Sequence, residues 1–497
     1  MRDKCRSIEI AAAIACFMSL VHPSNAASVS PPETKPEQIG TLEQCVKYPV
    51  PAGYHWSRQT IEAFCADTFT PALDREDIEQ LIASGQGKNL DARLNQIVGD
   101  YLAGKLPEGT AFYIYVNFRR GDEPTSRLVT RWLEQSPQSA HALAARGIYH
   151  LQRGQDARGG KFIQETPRAN LERMEQELAL ARADLTKAVE LDSRIMYAYA
   201  ALIDVARMTS GDKALGPKTL KRALEVDPKN FYVRAAYSFM LTPRWGGSIE
   251  YMDRLAKEAD PWADQNPRLV NLRAIAISHR GFDDFSAKRY VPALEQYERG
   301  LAEGPVGDNL FTAGFMAEKL GQHARAIEFF SQELRFVPRD ANLRQHRASS
   351  YVQLKRYDAA KADLDVVLED APNDMYSLRE YAFLLLEQKD YPSAKSKLEQ
   401  ARKSDPADLW VAEQLAWIYL YTDRRFKDAQ PLVAQILEKD SKSGAGWLMR
   451  ADLIQNLGGP GLREAAENFV RFADSSAERQ RDALPSVKAW LASHPKE

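Results

Sequence analysis

The second half of the chain carries prolines at a regular spacing. Pro305, Pro338, Pro372 and Pro406 are followed by Ser441, at steps of 33, 34, 34 and 35 residues. A period near 34 residues is typical of helix–turn–helix repeats, in which each unit buries its apolar face against its neighbours. The residue before a proline is disfavoured in helical conformation, so each proline predicts the end of a second helix. The spacing predicts an all-α fold, a right-handed helical solenoid with a mainly helical N-terminal region.

Three consecutive units, 307–340, 341–374 and 375–408, align without gaps, and a fourth at 409–443 contains one extra residue. A small residue recurs at the eighth and twentieth positions, where two antiparallel helices approach closely: Gly314, Ala348 and Ala382, then Ala326, Ala360 and Ala394. This pattern resembles the tetratricopeptide repeat. The resemblance implies a stack of helical pairs with a concave groove lined by the first helix of each pair.

The repeat pattern divides the chain into six parts. We expect a signal peptide at 1–26, a disordered tether at 27–38, an N-terminal mainly helical domain at 39–138, degenerate repeats with insertions at 139–306, the regular array at 307–443, and a capping pair of helices at 444–497. Within the N-terminal domain, the apolar run 111–118 fits a strand or a buried helical segment, and periodicity cannot choose between them.

A second resemblance covers roughly residues 75–260. It rests on the phrases WLEQSP at 132–137, ARGG at 157–160 and PRWGGS at 243–248. Together they are similar to an uncharacterised family of bacterial proteins, which implies a bacterial source and carries no function. Gly246 and Gly247 would permit a tight turn, and Ser248 would cap the next helix. Trp245 would plug this corner or, alternatively, present a binding residue.

The N-terminus has the features of an export signal. Three basic residues precede an apolar run at 10–21, and a small-x-small pattern ends at Ala26. The run is shorter than the roughly 20 residues that span a bilayer. We expect cleavage after Ala26 and an exported protein, with the periplasm as its location and no integral membrane segment after cleavage. Lipidation at Cys16 remains open as an alternative.

Cleavage would leave two cysteines, Cys45 and Cys65. An even pair in an oxidising compartment predicts a disulfide. The bridge would close a loop of about 20 residues and contribute roughly 3 kcal/mol in the chain-entropy model. A metal or redox pair is disfavoured because the chain has no CxxC motif and no histidine cluster nearby.

The sequence offers no convincing catalytic constellation. It has no HExxH, no GxSxG and no phosphate-binding loop, so we expect no enzyme, no metal and no cofactor. Its 66 basic and 68 acidic residues nearly cancel, and no basic stripe suggests nucleic-acid binding. A site assembled from distant residues would escape this search.

The repeat frame places aromatic and charged residues on the inner face of the array. The predicted partner-binding groove consists of Phe311, Phe315, Tyr376, Arg379, Phe383, Trp410, Glu413, Trp417 and Tyr421. Tyr, Trp and Arg dominate binding hot spots, so we expect an adaptor that holds a protein or peptide partner in the bacterial envelope. Packing between repeats is the alternative role of these aromatics. The competing functions are a glycan- or cell-wall-acting enzyme with a site between the lead domain and the repeats, and a structural subunit of a secretion or surface-polymer complex.

Overall fold

A computed structural model describes residues 40–70, 73–160, 165–209 and 211–494. The expected signal peptide and tether lie outside these residues. The described chain forms two compact units that divide between Asp340 and Ala341. The expected array at 307–443 therefore contributes to both units.

Every regular element in the described ranges is helical, which confirms the all-α prediction. None of the described helices combines the length and the apolar character needed to cross a membrane. The helices of the first unit are α1 Leu42–Lys47, α2 Arg58–Phe69, α3 Arg75–Ala83, α4 Gly87–Leu102, α5 Glu108–Tyr113, α6 Glu123–Gln135, α7 Ala140–Arg158, α8 Arg168–Leu191, α9 Met196–Met208, α10 Leu215–Val226, α11 Phe231–Met240, α12 Ile249–Ala259, α13 Val270–His279, α14 Phe282–Ser286, α15 Tyr290–Glu303, α16 Gly307–Lys319 and α17 His323–Phe336. Short 3₁₀ turns lie at Ile114–Phe118, Pro243–Trp245, Asp260–Trp262 and Pro267–Leu269.

The apolar run 111–118 is helical, since α5 passes into the 3₁₀ turn Ile114–Phe118. Ile114, Tyr115 and Phe118 are buried in the main core of the first unit together with Trp132. The short helical segment turns these side chains into the core that the lead region shares with the first repeats.

The lead region of the first unit packs directly on its repeats. A disulfide joins Cys45 to Cys65, with the two Cα atoms 5.8 Å apart. The buried guanidinium of Arg335 on α17 donates to the carbonyl of Cys45 at 2.6 Å. The indole of Trp56 donates to the carbonyl of Leu301 on α15 at 2.6 Å. These bonds fix the disulfide-linked helices α1 and α2 against α15 and α17.

The PRWGGS phrase forms a tight corner. Gly246 has φ 85°, and a Cβ on Gly247 would lie 2.0 Å from the carbonyl oxygen of Leu241, so the turn requires both glycines. Ser248 caps α12 by accepting from the amide of Tyr251 at 3.3 Å. The Trp245 ring is surrounded by the guanidiniums of three arginines at 4.8–5.8 Å: Arg158, Arg207 and Arg244. Arg158 belongs to the ARGG phrase, so two of the three phrases meet here.

The second unit contains four consecutive helix pairs and one further helix at its C-terminal end. Its helices are α18 Ala341–Gln353, α19 Tyr357–Asp370, α20 Met375–Glu387, α21 Tyr391–Ser404, α22 Leu409–Trp417, α23 Phe426–Lys439, α24 Gly444–Leu457, α25 Leu462–Phe472 and α26 Glu478–Ser493. The second helices α19 and α21 end two residues before Pro372 and Pro406. Lys355 and Lys389 stand at equivalent positions in the turns within pairs and adopt positive φ, at 57° and 60°.

The extra residue of the fourth repeat is accommodated by a π-helical turn. This turn, Ile418–Thr422, continues α22, and the amide of Asp423 donates to the carbonyl of Ile418 at 2.9 Å. A π turn inserts one residue into a helix without breaking it. The 35-residue step in the sequence has its structural cause here.

The C-terminal part contains three helices, so the expectation of a capping pair is wrong. α24 and α25 form the pair, and α26 follows after a short connection and packs against both.

Candidate functional site

Two predicted groove residues, Phe311 and Phe315, lie in the first unit. The ring of Phe311 packs on Phe330, with centroids 6.1 Å apart. Phe315 is buried, and the ammonium of Lys319 lies 4.9 Å from its ring centroid. These positions are those of residues that pack within the repeat stack.

The remaining predicted residues lie in the second unit and have different surroundings. Tyr376 is 46% exposed, and Phe383 is half-buried. Arg379 donates to the carboxylate of Asp408 at 2.8 Å, and its guanidinium lies 5.0 Å from the centroid of the Trp410 ring. Arg379 and Trp410 are thus engaged with each other and with the start of α22.

Asp408 explains the position of Arg379. It is the N-cap of α22 and accepts from the amide of Val411 at 2.8 Å. One repeat earlier, the side-chain amide of Gln345 donates to the carboxylate of the equivalent N-cap residue, Asp374, at 2.8 Å. The fifth residue of a repeat therefore ties its first helix to the N-cap of the next repeat.

Glu413, Trp417 and Tyr421 line a cavity of about 860 Å³ on the inner side of the second unit. Its walls come from α20, α22 with its π turn, and α24 to α26. They consist of Glu387, Glu413, Trp417, Tyr421, Ala445, Leu448, Met449, Ala451, Asp452, Gln455, Leu462, Ala466, Ala477, Glu478, Arg479, Gln480, Ala483, Ser486, Val487 and Trp490. Three of the nine predicted groove residues meet in this one place.

Two of the lining residues, Trp417 and Tyr421, belong to a short row of aromatic rings. Trp417 lies between Tyr391 and Tyr421, with ring centroids 5.3 and 5.7 Å away. The hydroxyl of Tyr421 donates to the carboxylate of Asp452 on α24. Because the π turn carries Tyr421, the inserted residue shapes this wall of the cavity.

The cavity is acidic. Among the residues that line it are four carboxylates, those of Glu387, Glu413, Asp452 and Glu478, and one cation, Arg479. Burial raises the pKa of Glu413, and the nearby Arg479 partly opposes this rise. Burial also raises the pKa of Asp452, against the hydrogen bond from Tyr421.

Arg479 of α26 reaches into the cavity and lies on Trp417. Its guanidinium carbon is 3.9 Å from the ring centroid, within the range of a cation–π contact. It also donates to the side-chain oxygen of Gln414 at 3.3 Å. Arg479 is exposed as a whole residue, but its guanidinium is partly withdrawn from water, and this desolvation lowers its pKa.

Sequence reasoning missed the wall that α26 provides. Ala483, Val487 and Trp490 lie on the same face of this helix and line the cavity. Their spacing of four and three residues is the signature of an amphipathic helix. That spacing would have indicated a helix with an apolar face, but not the surface that the face covers.

A second polar cluster lies in the first unit, where α2, α5 and the 3₁₀ turn Pro267–Leu269 meet. Arg268 is 2% exposed, pairs with Asp67, and donates to the hydroxyl of Tyr232 at 2.6 Å. Glu108 accepts from the amide of Phe231 at 2.7 Å. Burial raises the pKa of Asp67 and raises that of Glu108 to about 7.

This cluster is where an enzyme between the lead domain and the repeats would have its carboxylates. The cavity beside Glu108 has a volume of about 10 Å³, roughly the space of one water molecule. The described residues contain no group of three or more histidine, cysteine or acidic side chains placed to hold a metal ion. The contacts of the cluster are those of a packed polar core.

The stacked helix pairs define a helical-repeat protein with an inner cavity. Residues 385–453, which contain Glu413, Trp417 and Tyr421, match the family model of the tetratricopeptide repeat. This part of the chain is a tetratricopeptide-repeat segment.

Three solved structures are similar to parts of the chain. Pseudomonas aeruginosa pilF is 15% identical over 45% of this chain and 99% of its own, with a TM-score of 0.37. A tetratricopeptide repeat protein from Parabacteroides merdae is 17% identical over 51% of this chain and 97% of its own, with a TM-score of 0.35. YrrB, described as a TPR protein with an unusual peptide-binding site, is 16% identical over 38% of this chain and 96% of its own, with a TM-score of 0.32.

Proposed function

We propose that this protein is an exported helical-repeat scaffold of the bacterial envelope that binds a protein or peptide partner in the inner groove of its second unit. The observation that carries the proposal is the cavity of about 860 Å³ lined by Trp417, Tyr421 and Trp490. Ligand sites typically have volumes of about 300–1,000 Å³. Aromatic side chains in such a recess supply most of the binding energy at protein interfaces.

We assign partner binding to only some of the predicted groove residues. Glu413, Trp417 and Tyr421 would contact the partner, whereas Arg379 and Trp410 would hold consecutive repeats together. We assign the protein no catalytic role.

Export is supported by two features. The N-terminal 26 residues have the composition of a signal peptide. The bond between Cys45 and Cys65 suits an oxidising compartment such as the periplasm.

Site-specific crosslinking in the native envelope tests the function. A photoreactive amino acid replaces Gln455, an exposed residue at the rim of the cavity. We expect a defined crosslinked partner whose yield falls at least about tenfold with Trp417→Ala, the typical loss for a hot-spot residue. Trp410→Ala is the matched control, because this ring packs beside Arg379 instead of lining the cavity.

The proposal fails if folded Trp417→Ala and Trp410→Ala proteins give the same crosslinked products at the same yield as the wild type. Circular dichroism of both variants establishes that they are folded. Secretion is tested separately, by locating the mature chain in periplasmic extracts.

A further inference from the structure

The C-terminal helix α26 covers the cavity without being firmly built into the fold. None of its residues from Glu478 to Ser493 is fully buried. Pro485 lies inside the helix, where it removes one backbone hydrogen bond and destabilises the helical conformation. A segment with little buried apolar surface has a low free energy of local opening. α26 is therefore the part of the second unit that separates from it most easily.

The contact that α26 makes in the cavity is nevertheless specific. The Arg479 guanidinium stacks on Trp417 at 3.9 Å and meets Gln414 at 3.3 Å. Planar stacking on an aromatic face is a property of arginine that lysine shares only in part. Trp417 and Gln414 thus form an arginine-binding site, and Arg479 of the same chain occupies it.

The charges around the site match this cation. Four carboxylates line the cavity, and Arg479 is the cation among the lining residues. If α26 left, Arg479 and Glu478 would leave with it, and the carboxylates of Glu387, Glu413 and Asp452 would remain near the Trp417 ring. Such a surface attracts a basic side chain and repels an acidic one.

Glu413 is the fifth residue of its repeat, but it does not have the role that the fifth residue has in the two preceding repeats. The equivalent residues Gln345 and Arg379 hold the N-cap aspartates Asp374 and Asp408. After Glu413 the next cap is Ser443, which accepts from the amide of Gly446 at 3.0 Å. A carboxylate at this position is not suited to tie the repeats in the same way, and it faces the electrostatic field of Arg479 instead.

We propose that α26 is an internal ligand: Arg479 occupies the place of an arginine side chain of the protein partner, and the partner binds by displacing this helix. The inference rests on the proposed function, since it names the partner chemistry of the same groove. The partner segment would carry an arginine followed by apolar residues at the spacing of Ala483, Val487 and Trp490. It would bind as an amphipathic helix in a groove.

A peptide with the sequence of residues 474–494, labelled with fluorescein, tests this displacement on the full-length chain. In the wild type, the tethered α26 competes at a high effective concentration, so the added peptide binds weakly. The variant Arg479→Ala weakens the internal contact only. We expect it to bind the unsubstituted peptide about tenfold more tightly than the wild type does, as measured by fluorescence anisotropy.

The matched control is Arg481→Ala in the same helix. Arg481 is exposed, and its guanidinium lies 3.6 Å from the carboxylate of its neighbour Asp482. This variant should bind the peptide as the wild type does. A peptide that itself carries Arg479→Ala should lose about tenfold in affinity for the Arg479→Ala chain, and a peptide carrying Arg479→Lys should fall between the two.

Amide hydrogen exchange gives a second measurement that does not need the peptide. In the Arg479→Ala chain, amides of α26 should exchange several-fold faster than in the Arg481→Ala chain, while α22 and α23 remain protected. The proposal is overturned if the Arg479→Ala and Arg481→Ala chains bind the peptide equally and exchange equally. It is also overturned if the peptide with alanine at 479 binds as tightly as the unsubstituted one.

The outcome is separable from that of the proposed function. If the groove binds a partner but α26 is only a cap, crosslinking from position 455 still depends on Trp417, while the peptide experiment shows no effect of Arg479→Ala. If α26 is a displaceable helix but the groove has no partner, the peptide experiment succeeds and the crosslinking experiment yields no Trp417-dependent product.

Discussion

Arg268 in the first unit and Arg479 in the second unit each lie against an aromatic ring, but their surroundings hold them differently. The Arg268 guanidinium in the first unit is 4.7 Å from the Phe64 ring centroid, pairs with Asp67, and is 2% exposed. The Arg479 guanidinium in the second unit lies 3.9 Å from Trp417, but its residue is exposed. The Arg268 guanidinium, enclosed and paired, joins two parts of the fold, whereas the Arg479 guanidinium at the edge of a cavity can be replaced by another cation.

The same contrast applies to the helices around each arginine. In the first unit the lead region closes over Arg268 and leaves about 10 Å³ beside the cluster. In the second unit α26 leaves about 860 Å³ open beside Arg479. A tightly packed polar cluster contributes to stability only while all its members remain paired. A loosely covered cavity has room for a second molecule.

The largest expected effect is that of removing Arg268. Arg268→Ala leaves Asp67 and Glu108 buried without their cation, and loss of one partner of a buried ion pair costs about 3–5 kcal/mol. The free energy of unfolding, measured with guanidinium chloride, should fall by this amount. Arg273→Ala is the control, since its pair with Asp260 is about half exposed on both sides and contributes about 0–1 kcal/mol. If both variants lost similar amounts of unfolding free energy, the buried Arg268 would stabilise the fold no more than an exposed arginine does.

The next largest effect is expected from pH, which changes the protonation of the buried cluster around Arg268. Glu108 has a pKa of about 7 in the folded chain because it is buried, above the ordinary value of 4.5. Between pH of about 4.5 and about 7, the folded state keeps a proton that the unfolded state has lost. The free energy of unfolding should therefore fall as pH rises through this window, on the order of 3 kcal/mol from this group.

Glu108→Gln removes this titration but keeps a side-chain oxygen for the amide of Phe231. We expect a flatter pH profile between pH 5 and pH 7, with a remaining slope from Asp67, whose pKa is raised in the same direction. Glu413→Gln in the second unit should change the profile less, because Glu413 is only half-buried. An unchanged slope in Glu108→Gln would show that this carboxyl group does not hold a proton near neutral pH.

The smallest effect is expected from Arg379. Its pair with Asp408 is 40% exposed on the arginine side, and pairs of this kind contribute about 0.2–1 kcal/mol. Arg379→Ala should lower the free energy of unfolding by that amount and leave binding of the 474–494 peptide to the Arg479→Ala chain unchanged. A tenfold loss of peptide affinity would instead assign Arg379 to the binding surface, as the sequence predicted.

The sequence determined the repeat units, because each unit depends on contacts between neighbours that recur at a fixed spacing. The prolines mark the ends of α19 and α21, and the small residues Ala348 and Ala360 mark where two helices meet. The single extra residue between Pro406 and Ser441 also had a local cause, the π turn at Ile418–Thr422. Spacing along the chain carries all of this information.

Which of the predicted groove residues line a cavity depends on tertiary packing. Arg379 and Glu413 occupy the same repeat position, but one binds a cap aspartate and the other faces Arg479. The sequence could not distinguish them because the outcome depends on the cap of the following repeat and on where α26 folds back. Helix pairing follows from local periodicity, whereas the position of a terminal helix follows from long-range packing and charge, which no spacing encodes.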